Sequence, residues 1–156
     1  MEPQQSDDKD KIEQIAVLGA GAWGCTLADL LVRHGHSVRL WDNAPEVIDS
    51  LREKRVPRNI PWLRLPESIV LSAELAEAAD GATLVVFVVP SVGMRAASEI
   101  LKRISPDDSK RLYVVCTKGL EKYTDKTMSE VVAEVFGEKI RGRVGVLSGP
   151  SHAEEV

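Results

Sequence analysis

A short apolar segment that runs directly into three glycines constrains this chain more than any other feature of its sequence. Residues 15–18 precede Gly19, Gly21 and Gly24, and a helix-like segment begins at Ala22. In this strand, turn and helix context, the first glycine makes the tight turn, the second lets backbone approach a pyrophosphate, and the third lets helix and strand pack closely. Unpaired N–H groups at the helix start attract the anion. The segment predicts a dinucleotide site, and a glycine turn that binds nothing is the alternative.

An acidic residue follows the second apolar strand of the sequence. Asp42 lies 18 residues beyond Gly24, close to the spacing at which a carboxylate accepts hydrogen bonds from an adenosine ribose. This predicts NAD as the cofactor, because a 2′-phosphate would favour Arg or Lys here. NADP stays open, since Arg39 and Arg55 are near enough to help bind it. The alternative role of Asp42 is a cap for the helix that begins at Pro45.

The apolar segments are short, rich in Val, Ile and Leu, and separated by amphipathic stretches of helix length. This alternation is typical of a parallel sheet with helices on both faces. It predicts strands near 15–18, 38–41, 69–71, 83–89, 112–117 and 144–147, and helices near 22–34, 45–54, 73–79, 91–104 and 124–136. Right-handed crossovers favour the strand order 3-2-1-4-5-6, with a ligand crevice at the carboxyl ends of strands one and four. The predicted fold class is α/β, a doubly wound parallel sheet.

Length and composition limit the choice of domains and partners. With 156 residues and 44% hydrophobic content, we expect one domain at 12–156 behind a flexible tail at 1–11. The 24 acidic residues outnumber the 20 basic ones without a dense basic cluster, which argues against nucleic acid and anionic membrane surfaces. No apolar run is long enough for a membrane span. Cys25 and Cys116 lack metal-ligand spacing, so we expect no metal and interpret both as buried thiols of a cytoplasmic protein.

Three later strand ends carry residues suited to the same crevice. Pro90 lies where the nicotinamide half of a dinucleotide would pass, and Ser91 is predicted to cap the next helix. Lys118 can pair with a phosphate or polarise a carbonyl oxygen that gains negative charge, although a surface lysine before a glycine turn is the alternative. Gly149 offers backbone, and Ser151 offers a hydroxyl and a helix N-terminus, to an anionic group.

Four of these segments occur together in the order and spacing of a known family. They are Gly19-Ala-Gly-Ala-Trp-Gly24, Val88-Val-Pro-Ser91, Thr117-Lys-Gly-Leu-Glu121 and Leu147-Ser-Gly-Pro-Ser-His-Ala-Glu-Glu155. With these motifs the chain resembles the NAD(P)-dependent glycerol-3-phosphate dehydrogenases, nearest the bacterial type. The resemblance covers nearly all of 12–156. It implies a Rossmann fold and the reversible reduction of dihydroxyacetone phosphate to sn-glycerol 3-phosphate, a precursor of glycerolipids.

The resemblance also assigns roles to individual residues. It adds four cofactor contacts to those predicted above, at Ala22, Trp23, Asn43 and Ala153. Lys118 resembles the lysine shared by cofactor and substrate, and Gly149 and Ser151 resemble substrate contacts.

The sequence departs from the pattern of the family in two places. Asp42-Asn43-Ala44 replaces the usual Gly-Arg/His-Asp, which favours NAD over NADP. His152 replaces a usual Phe, and we expect it to be a structural or exposed histidine.

Members of this family place the presumed general base, a second lysine, in a helical C-terminal domain, and we expect this sequence to end before that domain. We therefore expect these 156 residues to bind a dinucleotide with little turnover. Two other interpretations stay open. One is a related two-domain dehydrogenase, such as those acting on ketopantoate or 6-phosphogluconate, which the Lys118-Gly-Leu and Ser148-Gly-Pro-Ser motifs disfavour. The other is a stand-alone NAD-binding redox-sensing module. A homodimer stays open as a candidate assembly of this chain.

Overall fold

The structure, a computed structural model, describes residues 12–106 and 110–149. Its elements in chain order are β1 (Gln14–Leu18), α1 (Ala22–Arg33), β2 (Ser37–Trp41), α2 (Pro45–Lys54), β3 (Val70–Ser72), α3 (Leu75–Ala79), β4 (Leu84–Phe87), α4 (Ser91–Ile104), β5 (Leu112–Val115), α5 (Met128–Phe136), a 3₁₀ helix (Glu138–Arg143) and β6 (Val144–Val146). Within these ranges the strands form one sheet in the order β3-β2-β1-β4-β5-β6, and every pairing is parallel. The predicted fold class and strand order are confirmed.

Alternation along β1 explains why the sheet is buried on both faces. Ala16 and Leu18 belong to one apolar cluster, which includes side chains of α3, α4 and α5. Ile15 and Val17 belong to a second cluster, formed with α1, α2 and the segment that follows α2. Because successive side chains of a strand point to opposite faces, β1 contributes to both halves of the core. It is thereby fixed at the centre of the sheet.

Several predicted boundaries and one capping role differ from the structure, and the strand predicted at 112–117 ends at Val115. The strand predicted at 83–89 ends at Phe87, and the helices predicted from residues 73 and 124 begin at Leu75 and Met128. The last shift has a clear cause, because Thr127 forms a capping box with Glu130. The residues before Thr127 are instead folded into a turn.

The prediction that Ser91 caps α4 is wrong. Pro90 occupies the cap position with extended backbone, ψ 150°, and Ser91 is already the first helical residue. Proline fixes φ and has no N–H to leave unpaired, so it suits the position directly before a helix.

The sheet reverses its order between β1 and β4. Leu18 pairs with Phe87 at the carboxyl ends of these strands, and the Val88 N–H donates to the Leu18 carbonyl oxygen at 2.8 Å. In doubly wound sheets the helices on either side of such a point diverge and leave a crevice. Among the residues that the structure describes, no helix has the length and apolar character needed to cross a membrane.

Candidate functional site

The first glycine of the turn after β1 is required by backbone shape and by close packing. Gly19 has φ +117°, and a Cβ at this position would lie 2.8 Å from the carbonyl carbon and oxygen of Val88. Its N–H donates to the Trp41 carbonyl oxygen at 2.8 Å. Gly19 therefore lets the turn fit between the exits of β2 and β4, where a side chain would collide with backbone.

The other two glycines have opposite surroundings. A Cβ on Gly24 would lie 1.8 Å from the Gly19 carbonyl oxygen, whereas a Cβ on Gly21 would meet no atom within 4 Å. Gly21 is the N-cap of α1, so its open face lies beside the unpaired N–H groups of the first helical turn. The turn is thus packed tightly against protein at Gly24 and left clear at Gly21, as a cradle for an anion at a helix N-terminus requires.

Asp42 connects the exit of β2 to this turn. Its Oδ2 accepts a hydrogen bond from the Ala20 N–H at 2.8 Å, and its Oδ1 accepts one from the Ala44 N–H at 3.0 Å. The second bond stabilises the chain just before Pro45, although the N-cap of α2 is Ala44 itself. Asp42 thus holds the glycine turn and the start of α2 through hydrogen bonds to their backbone. Its carboxylate lines the same cavity as Gly21. Its neighbour Asn43 is exposed.

A cavity of about 550 Å³ lies beside the Asp42 carboxylate. Its walls are the glycine turn, one face of α2 that includes Glu46 and Ser50, and the segment 56–59 that follows α2. The volume is within the range of small-molecule and cofactor pockets. It places a ligand against Gly21 and Asp42 together.

Arg39 and Arg55, the two arginines that could favour NADP, contact other parts of the chain in the structure. Arg39 Nη1 donates to the carbonyl oxygens of Glu77 and Asp80 at 2.7 and 2.8 Å. Arg55 Nη1 donates to the Ile69 carbonyl oxygen at 2.9 Å, and its Nε lies 3.2 Å from a Glu67 carboxylate oxygen. Each side chain holds a loop in place. Neither Arg39 nor Arg55 is among the residues that line the cavity.

The burial predicted for the two cysteine thiols is confirmed. Cys25 and Cys116 are both buried and unpaired. Burial, assisted by the nearby carboxylate of Asp42, raises the pKa of Cys25 to about 12. Burial raises the pKa of Cys116 to about 11, opposed by a hydrogen bond from Trp23. The half-buried Trp23, near the start of α1, packs against the apolar cluster that contains Cys116.

The exit of β5 brings the predicted lysine to the carboxyl edge of the sheet. Thr117 Oγ1 donates to the Val89 carbonyl oxygen at 2.7 Å, next to the exposed Pro90. Lys118 is exposed, and its Nζ donates to the Gly149 carbonyl oxygen at 3.2 Å. The structure thus brings Lys118 and Gly149 together. The predicted residues Ser151 and Ala153, with His152 between them, lie outside the described residues.

Sequence analysis missed one residue near this edge, Arg95 on α4. Its guanidinium pairs with both carboxylate oxygens of Glu121, at 2.7 and 2.8 Å. The Arg95 hydrogen bonds lower the pKa of Glu121 to about 2, assisted by a bond from Thr124. The available signal was an arginine one turn inside a helix that starts at the crevice, together with an acid directly after Lys118-Gly-Leu.

Comparison with known proteins decides the family. A family model described as the N-terminus of NAD-dependent glycerol-3-phosphate dehydrogenase matches residues 14–156. The chain belongs to this family. Within it, the chain is 42% identical over 147 residues to a glycerol-3-phosphate dehydrogenase [NAD(P)+] of Lactiplantibacillus plantarum. It is 45% identical over 145 residues to the enzyme of the same name from Moorella thermoacetica.

A solved structure supports the same assignment at the level of the fold. The crystal structure of glycerol-3-phosphate dehydrogenase from Coxiella burnetii superposes with a TM-score of 0.80 at 34% identity, covering 92% of this chain and 43% of that one. Alignments with the two bacterial enzymes cover 93% and 92% of this chain and 44% and 42% of theirs. This member of the glycerol-3-phosphate dehydrogenase family therefore spans less than half the length of the relatives it matches. It corresponds to their N-terminal, NAD(P)-binding domain.

Proposed function

We propose that this chain holds the dinucleotide for hydride transfer between NAD(P)H and dihydroxyacetone phosphate, giving sn-glycerol 3-phosphate. The proposal depends above all on the clear face of Gly21, which lies at the N-terminus of α1 and shares one cavity with Asp42. A pyrophosphate against Gly21 would be bound by backbone N–H groups and the positive end of the helix. The adenosine half would then extend into the cavity beside Asp42.

The opposite half of the dinucleotide would extend toward β4 and β5. Pro90 and the adjacent Val89 would form one wall there, and Lys118 lies at the neighbouring strand exit. When bound, NAD(P)H supplies the hydride. Lys118 would stabilise negative charge on the carbonyl oxygen of the substrate, because an ammonium group placed where charge develops lowers the barrier. We assign substrate contacts to Lys118 and Gly149, with Ser151 as a further contact.

We further propose that the chain prefers NAD to NADP. A ribose 2′-hydroxyl can donate to the Asp42 carboxylate, whereas a 2′-phosphate would place two anions side by side. Glu46 adds a second carboxylate to the cavity wall, which also includes Arg58 of the segment 56–59. Arg39 and Arg55 are held by carbonyl oxygens elsewhere. The free thiols of Cys25 and Cys116 support our proposal of a reducing, cytoplasmic location.

Titration of the chain with NADH tests the proposed function. We expect saturable binding, weaker binding of NADPH, and an NADH affinity that changes when glycerol 3-phosphate is present. Gly21→Ala should reduce the NADH affinity at least tenfold, since the added methyl occupies the cradle. Gly142→Ala is the matched control, because Gly142 also has open space but precedes β6 at the opposite edge of the sheet. Absence of NADH binding by the wild-type chain would refute the proposal, and binding unaffected by glycerol 3-phosphate would favour a stand-alone redox-sensing module.

A further inference from the structure

Lys118 lies on a short segment that is anchored to protein on both sides. On one side, Thr117 Oγ1 donates to the Val89 carbonyl oxygen at 2.7 Å. On the other side, Glu121 is held by Arg95 through two hydrogen bonds of 2.7 and 2.8 Å. Gly119, between them, has φ +104°, so the backbone direction changes directly after the lysine. The position of Lys118 therefore depends on these two anchors.

The Glu121 carboxylate is the centre of the loop that follows Lys118. It accepts a hydrogen bond from Thr124 Oγ1 as well as those from Arg95. The Glu121 N–H donates to the Lys126 carbonyl oxygen at 2.8 Å, and the Asp125 N–H donates to the Glu121 carbonyl oxygen at 3.0 Å. Loss of the carboxylate's hydrogen bonds would therefore loosen the backbone of the whole turn.

The arginine end of this pair is also fixed. Arg95 Nη2 donates to a Glu134 carboxylate oxygen at 3.1 Å, and Lys126 forms an ion pair with the same carboxylate. Two cations and two anions therefore join α4, α5 and the loop. Only 14% of the Glu121 side chain and 32% of the Arg95 side chain are exposed. A bidentate pair of this kind sets both distance and direction.

We propose that Arg95 is a positioning residue, which orders the Lys118 loop through Glu121 and so fixes the lysine for cofactor and substrate. The proposal rests on the function proposed above. Arg95 lies one turn inside α4, and its guanidinium contacts the carboxylates of Glu121 and Glu134. An effect of Arg95 on Lys118 would therefore pass through Glu121 and the loop that contains it. The pair links a helix that starts at the β4 exit, on one side of the crevice, to the loop at the neighbouring β5 exit that carries Lys118.

Hydrogen exchange tests the ordering without any ligand. In Arg95→Leu and Glu121→Gln, we expect the backbone amides at positions 121 and 125 to exchange at least fivefold faster than in the wild-type chain. Arg33→Leu is the matched control, because Arg33 pairs with Asp29 within α1. Exchange that stays at the wild-type rate in both variants would overturn the proposal, whatever the chain binds.

A double-mutant cycle tests whether the effect passes through Lys118. We expect Arg95→Leu to weaken NADH binding about fivefold in the wild-type chain, the upper effect of a partly exposed ion pair. In a Lys118→Met background the same substitution should change NADH affinity less than twofold. Equal losses in both backgrounds would show that Arg95 acts elsewhere and would overturn the proposal. A wild-type chain that binds no NADH would instead refute the proposed function, while hydrogen exchange would still decide whether Arg95 orders the loop.

Discussion

The Asp42 carboxylate and the Ala20 N–H are joined by a hydrogen bond of 2.8 Å. The acid at the end of β2 therefore holds the backbone of the glycine turn. A carboxylate with two oxygens can keep this bond and accept others from a ribose. Pre-organisation of the turn reduces the ordering cost of binding.

Replacement of Asp42 should alter the choice of cofactor. In Asp42→Asn, the lost charge removes both the strong acceptor for a ribose hydroxyl and the repulsion of a 2′-phosphate. We expect the ratio of NADH to NADPH affinity to fall at least tenfold, because a hydrogen bond to a charged group contributes about 1.5–3 kcal/mol. Titration with both nucleotides measures the ratio. Asp49→Asn, an exposed change on α2, should leave the ratio unchanged, and an unchanged ratio in Asp42→Asn would count against the ribose assignment.

Substitution at two glycines should separate folding from binding. Gly24→Ala places a methyl 1.8 Å from the Gly19 carbonyl oxygen, so we expect a loss of at least about 1–3 kcal/mol in the free energy of unfolding. Gly21→Ala meets open space and should change that free energy by less than about 1 kcal/mol. Urea denaturation followed by circular dichroism compares the two. Equal destabilisation would contradict the packing described for this turn.

The Thr117 hydroxyl should contribute to the alignment of the two strand exits. Thr117→Val keeps the shape but leaves the Val89 carbonyl oxygen without its 2.7 Å donor. We expect a loss of about 1 kcal/mol in the free energy of unfolding and weaker NADH binding. Thr117→Ser retains the hydroxyl and should retain most of the NADH affinity. If Val and Ser variants bind NADH equally, this hydrogen bond does not position the site.

Acid should weaken the fold partly through Glu121. The Arg95 hydrogen bonds lower the pKa of Glu121 from 4.5 to about 2 in the folded chain, so the folded state binds its proton less readily than the unfolded state. The resulting stabilisation is present above pH 4.5 and is lost as the pH falls toward about 2. In Glu121→Gln, we expect unfolding to take up about one proton fewer across this range.

Urea midpoints measured at several pH values between 2 and 6 give this proton uptake for each variant. Arg95→Leu should show the same reduced pH dependence, since it removes the cause of the shift. Wild-type dependence in both variants would mean that the ion pair is not formed in solution.

The two thiols should be nearly unreactive in the folded chain. Burial raises the pKa of Cys25 to about 12 and that of Cys116 to about 11, and the thiolate is the reactive form. At pH 8 we expect slow reaction with a chromogenic disulfide reagent, and rapid release of two equivalents after denaturation. Because both pKa values are raised by folding, stability should also decline as the pH rises above 9.0. Rapid reaction of the native chain would contradict the burial of these side chains.

The order of the sheet could be predicted from sequence because apolar strands and amphipathic helices alternate without interruption. The glycines were equally informative, since Gly19 and Gly24 have the backbone shape and close packing that their spacing predicts. The first residue of a helix was harder to predict from the sequence. Thr124 and Thr127 both resemble caps, and only the contact between Thr127 and Glu130 decides between them.

Side-chain contacts between residues far apart in the chain were the part of the site that could not be predicted from the sequence. Arg95 and Glu121 are 26 residues apart, and Thr117 and Val89 are 28 apart. No local pattern links such positions, because they meet only after β4 and β5 have paired. The same holds for Arg39 and Arg55, which are near Asp42 in sequence but are held by backbone carbonyl oxygens of other loops.

The central pairing of β1 with β4 also has a consequence for the order of folding. Ile15 pairs with Leu84, and Leu18 pairs with Phe87, so a chain segment of about seventy residues must be closed before these strands meet. Closure of so long a loop is entropically costly and slow compared with pairing of nearer strands. The crevice exists only once this closure is complete. Capture of a fluorescent dinucleotide during refolding would therefore time the joining of the two halves of the sheet.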